Sequence, residues 1–159
     1  EETIKVRIKI RRADPLASNL GHTFGHALEK LSNYKIGHGD SISAGILMAL
    51  KFGEKVDITK KGTFDFAVDI MDALKLNKYF NPEFTVEKII DLMSRDKKSS
   101  SKYINLVLLK EIALPYKHNN IPFFQSNSKE LQIFLENYYI LFSHFGRSNI
   151  LSLLKENIS

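Results

Sequence analysis

The chain contains no cysteine. That excludes a disulfide framework and any thiolate nucleophile, and it leaves a bound metal only histidine and carboxylate side chains to sit on. A reducing, cytoplasmic compartment fits this. Long apolar runs are missing too. No stretch approaches the roughly 18 consecutive apolar residues of a membrane span. The opening Glu1-Glu2-Thr3-Ile4-Lys5 lacks the apolar core of a secretory leader. No membrane partner is expected. Repeats and low-complexity tracts are absent, as is a Gly-rich strand–turn–helix fingerprint, so no dinucleotide fold of the chain's own is visible.

What is present reads as one globular domain. A length of 159 residues buries a real core, and fractions of 43% hydrophobic and 26% charged are ordinary for a soluble protein. The formal net charge of +5 raises nucleic acid as a partner. The cations, however, are scattered over Arg7, Lys9, Arg11, Arg12, Lys60, Lys61, Lys97, Lys98 and Lys102, with no aromatic interleaving and no recognition-helix pattern. An anionic small molecule suits that charge, and nucleic acid is set aside.

The hydrophobic pattern predicts a mainly α domain. Residues 3–12 are ambiguous between strand and helix, and Asp14-Pro15 marks a break. From Asn19 to about Leu31 the period is helical: Leu20, Phe24, Ala27, Leu28 and Leu31 share one face, and Asn19, His22, His26 and Glu29 the other. Asp40 opens a second helix, Ser41 to about Lys55, rich in small residues that let backbones approach. Further helices are expected at about 60–74, 85–94, 128–143 and 148–156. Ile104 to Leu109 could be strand, Pro115 to Ser126 reads as turn or loop, and at most one small β-hairpin fits between 103 and 124.

Three of the five histidines fall within residues 22–38, in the frame Asn19-Leu20-Gly21-His22-Thr23-Phe24-Gly25-His26-Ala27-Leu28-Glu29 and Gly37-His38-Gly39-Asp40. His22 and His26 are one helical turn apart, and a helical hairpin would return His38 to His22. Two neutral imidazoles plus a carboxylate make an open Zn²⁺ set with positions left for substrate oxygens. Alone, a His-x-x-x-His pair arises readily by chance, and His38 between two glycines reads equally as a turn residue. His118 and His144 read as ordinary surface or half-buried residues. Lys97 and Lys98 read equally as a solvated helix end.

The whole pattern is more specific. The eleven-residue frame, then His-Gly-Asp before a small-residue helix, then Arg95-Asp96-Lys97-Lys98 and Ile104-Asn105-Leu106-Val107-Leu108-Leu109, resembles the C-terminal, metal-binding helical domain of the 3-dehydroquinate synthase and sugar-phosphate cyclase family. The resemblance runs from about residue 5 to 112. It implies that His22 and His38 are metal ligands for Zn²⁺ or Co²⁺. It implies His26 as a catalytic, substrate-side residue able to relay protons. Asn19 would bind substrate, and Lys97 would be both substrate-binding and catalytic. The implied reaction is an NAD- and zinc-dependent lyase step of the shikimate pathway to aromatic amino acids. An alcohol is oxidised, phosphate is eliminated, the ketone is reduced, the ring opens, and a carbocycle closes from a seven-carbon sugar-acid phosphate. A homodimer, and an N-terminal nucleotide-binding domain holding NAD, are implied as partners.

The chain departs from the family pattern in several places. Residues 1–159 read as the C-terminal half of a two-domain enzyme, without the N-terminal domain and without the segment bearing the third zinc ligand, a Glu. Pro15 stands where an Arg is usual, the stretch from Asp14 to Asn19 is short, Arg7 replaces a Lys, and Asp40 replaces a Glu. The isolated chain is expected to lack cyclase activity and to bind zinc weakly at best. The alternatives are a cyclase of the 2-deoxy-scyllo-inosose or valiolone type, an iron- or zinc-dependent polyol dehydrogenase, and a non-catalytic helical relative.

Overall fold

The computed structural model describes residues 17–76, 84–95 and 103–143, with side chains described from 18 to 139 of these. A 3₁₀ turn, Ala17–Asn19, leads into five α-helices: α1 (His22–Leu31), α2 (His38–Lys55), α3 (Thr63–Ala73), α4 (Val86–Ser94) and α5 (Ser128–Ser143). Between α4 and α5 lie four short strands, β1 (Tyr103–Leu106), β2 (Leu109–Glu111), β3 (Leu114–Pro115) and β4 (Phe124–Asn127). The architecture is mainly α, as the pattern predicts. Among the described residues no helix is long and apolar enough to cross a membrane.

α2 is the axis of the domain. It packs most extensively on α1 and also touches α3 and β2, while α4 lies against α1, α5 and β1. Its Leu47, Met48, Leu50 and Phe52 are all buried, with Phe24 and Leu28 of α1, Phe64 of α3 and Ile89 of α4. Phe52 and Phe24 both meet the ring of Phe134 edge-on, at 5.2 and 6.5 Å between centroids, which ties α5 to the helical hairpin.

The small residues set the distance between α1 and α2. A Cβ on Gly45 would collide with the Gly21 carbonyl oxygen and come within 2.7 Å of the Gly25 nitrogen. Only hydrogen fits there, so the α1 backbone rests directly on α2. Gly21 also sits at φ +75°, the left-handed region that strains any residue with a Cβ. That conformation corrects the expected helix start. Asn19 is not on the α1 face; it closes the separate 3₁₀ turn, and the helix begins at His22.

Helix termini explain the other shifted boundaries. α2 starts at His38, not after Asp40, because Gly37 is already the extended N-cap and Asp40 falls in the first turn, where its charge suits the dipole. α3 starts late, at Thr63, after Gly62, a cap with no side chain to offer. The carboxylate of Glu54, from the end of α2, takes over that role: its Oε1 accepts the Phe64 N–H at 2.9 Å, and the residue is buried.

The β-region is more ordered than the turn-rich sequence suggests. β1 pairs antiparallel with β4, Ile104 opposite Ser126, and β2 pairs with β3 inside that ribbon. Ile104 and Leu106 point inward while Tyr103 is exposed, the alternation of a half-buried strand. The strand run breaks between Leu106 and Leu109, so two nested ladders replace one continuous hairpin. The segment expected as loop thus contains Pro115 of β3 and Phe124 to Ser126 of β4. The expected final helix at 148–156 and the ambiguous residues 3–12 lie outside the described residues.

Candidate metal centre

Seating α1 directly on α2 has a chemical consequence at their open end. His22 and His26, one turn apart on the polar face of α1, meet His38, the first residue of α2. The ring centroids are 5.2 Å apart for His22–His26, 5.8 Å for His22–His38 and 5.9 Å for His26–His38. The connection returns tightly because Asn33 and Tyr34 both adopt positive φ, 50° and 60°, after the last turn of α1. Ser32 Oγ donates to the Glu29 carbonyl at 2.8 Å and accepts the Ile36 N–H at 3.1 Å, stapling that turn.

The histidines are oriented as well as gathered. Nδ1 of His22 lies 3.2 Å from the Leu20 carbonyl oxygen, so this nitrogen carries the proton and donates. Nδ1 of His38 lies 3.4 Å from Glu29 Oε2. One ligand atom each from His26, Glu29 and His38 falls within 4.8 Å of the other two. The cluster is open to solvent: the His38 side chain is 59% exposed, whereas that of Glu29 is 18%.

These residues fit a divalent ion of intermediate softness. Two imidazoles bound to one tetrahedral ion at about 2.0–2.1 Å would hold their ring centroids roughly 5 Å apart. All three pairs of ring centroids come within an ångström of that spacing, while the ligand atoms that group within 4.8 Å are those of His26, Glu29 and His38, without His22. With Nδ1 of His22 and His38 facing acceptors, each ring keeps Nε2 as its remaining donor atom.

The other candidates fall at different places. Asn19 is half-buried in the 3₁₀ turn ahead of Gly21. Lys97 and Lys98 lie outside the described residues, as does His144. Arg95, from the same motif, caps α4 and pairs with Asp91 at 2.8 Å on the surface. His118 is exposed in a bridge with Ile121, in the β-region. Asn105 sits in β1, where its carbonyl oxygen accepts the Thr23 hydroxyl at 3.1 Å, linking the strand to α1 between the two helix histidines. Glu29 is the residue whose role the sequence left unassigned. Its signal was its place on the stripe, three residues after His26 and seven after His22.

Comparison with known proteins shows the family of the chain. The protein-family model described as 3-dehydroquinate synthase C-terminal matches residues 13–99, more than half of the chain. A 3-dehydroquinate synthase of Clostridium perfringens is 37% identical over 111 residues, which cover 67% of this chain and 31% of that protein. One from Pelagibacter ubique is 36% identical over 124 residues, covering 74% of this chain and 32% of the relative. The chain therefore spans about a third of the length of the curated relatives it matches. A crystal structure of 2-deoxy-scyllo-inosose synthase complexed with carbaglucose-6-phosphate, NAD⁺ and Co²⁺ superposes with a TM-score of 0.68 at 18% identity. That match covers 77% of this chain and 33% of the synthase, and it is a likeness of fold.

Proposed function

The chain belongs to the 3-dehydroquinate synthase C-terminal family, and we propose that it is the metal- and substrate-holding part of such a synthase. The observation that supports this reading is the gathering of the His22, His26 and His38 rings at one end of the helical hairpin, with centroids 5.2, 5.8 and 5.9 Å apart. The substrate class is an anionic seven-carbon sugar-acid phosphate, and the reaction is phosphate elimination with carbocycle formation. NAD and a further carboxylate ligand come from a nucleotide-binding domain outside this chain, and the assembled enzyme is a homodimer.

In this reading His22 and His38 would hold Zn²⁺ or Co²⁺. When bound, the ion supplies Lewis-acid stabilisation of negative charge on substrate oxygens, and NAD supplies a reversible hydride sink. His26, exposed on the same face, binds the anionic end of the substrate and passes protons to and from it. Asn19 orients a substrate hydroxyl through its amide, and Lys97 adds a point charge for the anion. The C-terminal half thus fixes the substrate, while the nucleotide-binding half completes the redox chemistry.

Relatives at 34–41% identity carry the 3-dehydroquinate synthase name, whereas the inosose synthase match stands on fold alone. The dehydroquinate substrate is therefore preferred over other sugar phosphates. A polyol dehydrogenase is the further alternative, and it releases no phosphate.

The test is to join this chain to the nucleotide-binding part of the Clostridium perfringens relative and assay inorganic phosphate release with NAD, Zn²⁺ and the seven-carbon substrate. Release is expected, and it should disappear in His22→Ala and His38→Ala. A folded chimera that binds Zn²⁺ and NAD but oxidises a polyol without releasing phosphate would support the dehydrogenase. One that turns over nothing would leave the non-catalytic reading.

A further inference from the structure

We infer that Glu29 is a positioning residue of the metal centre: its carboxylate holds the His38 ring with Nδ1 turned inward, so that His38 presents Nε2 to the ion. The inference rests on the metal reading above and assigns a function within it to a residue of this chain. The contact is the 3.4 Å approach of His38 Nδ1 to Glu29 Oε2. The two histidines proposed as ligands are handled alike. His22 Nδ1 faces a main-chain carbonyl, that of Leu20, and His38 Nδ1 faces a carboxylate. His38 needs a side chain for this because it opens α2 after Gly37, and its own side chain is 59% exposed. An imidazole on an open helix end, with nothing on its inner nitrogen, rotates freely and favours the tautomer with the proton on Nε2, the wrong atom for a ligand.

Glu29 is built to prevent that rotation. Its side chain is only 18% exposed, so the carboxylate is partly desolvated and confined beside the His38 ring. Its backbone is fixed too, since the Glu29 carbonyl accepts both the Ser32 hydroxyl at 2.8 Å and the Tyr34 N–H at 2.9 Å. A carboxylate on a pinned turn, fixing the orientation of a ligand histidine, is the outer-shell arrangement that raises imidazole basicity and metal affinity. The rival is direct ligation by Glu29, which the 4.8 Å grouping of its oxygen with His26 and His38 would also allow.

Two variants separate the roles, because glutamine keeps the accepting oxygen and loses the anionic ligand. Long-range ¹H–¹⁵N spectra of the histidine-labelled chain, at about pH 8 to stay above the ordinary imidazole range, should show the His38 proton on Nδ1. Glu29→Gln should retain that tautomer, and Glu29→Ala should shift it toward Nε2–H. In Co²⁺ titrations of the same variants joined to the nucleotide-binding part of the Clostridium perfringens relative, Glu29→Ala should bind about 10–100-fold more weakly, and Glu29→Gln should stay near the wild-type affinity. Unchanged far-UV circular dichroism melts would show that neither change acts through the fold. Equal losses in Gln and Ala would make Glu29 a ligand and overturn the inference. So would an Ala variant with wild-type tautomer and affinity. A chimera with the nucleotide-binding part of the Clostridium perfringens relative, which supplies the further carboxylate, that takes up no Co²⁺ would sink the metal reading itself, and the inference with it.

Discussion

The two ends of α2 use polar residues in opposite ways. At its start, His38 is 59% exposed and shares an open cluster with two histidines from α1. At its finish, Glu54 is buried, and the polar groups around it are committed to holding the fold together. Its Oε1 caps α3, its backbone carbonyl accepts from Lys61 Nζ, and Lys51 Nζ stands 3.9 Å from Oε2. Beside it, the Thr59 hydroxyl donates to the Leu109 carbonyl at 2.6 Å and the Lys60 N–H to the Lys110 carbonyl at 2.7 Å, tying the helix to β2. The closed end uses its polar groups for connectivity. The open end gathers three imidazoles at the surface, where the proposed function places a metal ion.

The strongest way to break this contrast is to strike the point both ends depend on. Gly45→Val forces side-chain carbon into the Gly21 carbonyl and the Gly25 nitrogen, backbone atoms that have no rotamer to yield. The expected loss is about 3 kcal/mol or more, seen as a lower melting temperature together with loss of Co²⁺ binding. Melting unchanged by this substitution would mean that α1 does not rest on α2 as described.

Glu54→Ala strikes the closed end alone. It removes the cap of α3 and leaves the buried Phe64 N–H without an acceptor, a cost of about 2 kcal/mol. Glu54→Gln, which keeps an acceptor oxygen, should lose clearly less. Metal affinity, measured below the melting transition, should not change in either. A matching fall in Co²⁺ affinity would show that the two ends are coupled through α2.

The α5 side carries a smaller, pH-dependent contribution. Burial pushes the Tyr139 hydroxyl up to about 12. Burial raises Tyr138 as well. Unfolded tyrosines ionise near 10, so in the folded chain these rings hold their protons longer. Their contribution is intact below about pH 10 and is lost as pH rises from there through the folded values. Denaturant melts should therefore show stability falling between about pH 10 and 12. The fall should be smaller in Tyr139→Phe, which removes the ionisable group. An identical pH profile in that variant would deny Tyr139 a part.

How much of this was legible depended on whether the information was local. The polar stripe of His22, His26 and Glu29 is written in a 3.6-residue period, and the buried Phe24, Ala27 and Leu28 opposite it follow the same rule. The small residues of α2 likewise announced a close helix crossing. The position of Asn19 was not legible, because periodicity runs smoothly through Gly21 and only the backbone conformation at φ +75° breaks it. The β-region was half legible. Ile104 and Leu106 alternate, but the partner strand hides among turn-forming residues, and its pairing is set by register across some twenty residues rather than by its own composition. The role of Glu54 was invisible for the same reason: it bonds the N–H of Phe64, ten residues on, in a helix whose own cap is a glycine.

The contrast is sharpest where the stability effect should be smallest. His38→Ala removes a largely exposed ring whose approach to the Glu29 carboxylate, at 3.4 Å, is long for a hydrogen bond. The rest of its turn survives, since the Ser41 hydroxyl bonds the His38 carbonyl, a backbone atom, at 2.9 Å. Stability should therefore change by no more than about 0.5 kcal/mol, the range of ordinary surface substitutions. Metal binding should behave otherwise: a two-histidine site cut to one loses a full coordinate bond, and Co²⁺ affinity should fall by well over an order of magnitude. That outcome would mark His38, held 5.8 Å from His22 and 5.9 Å from His26, as placed for a ligand. If His38→Ala instead lowered the melting temperature as much as Glu54→Ala while sparing Co²⁺ binding, both ends of α2 would be structural, and the cluster would be a polar helix contact.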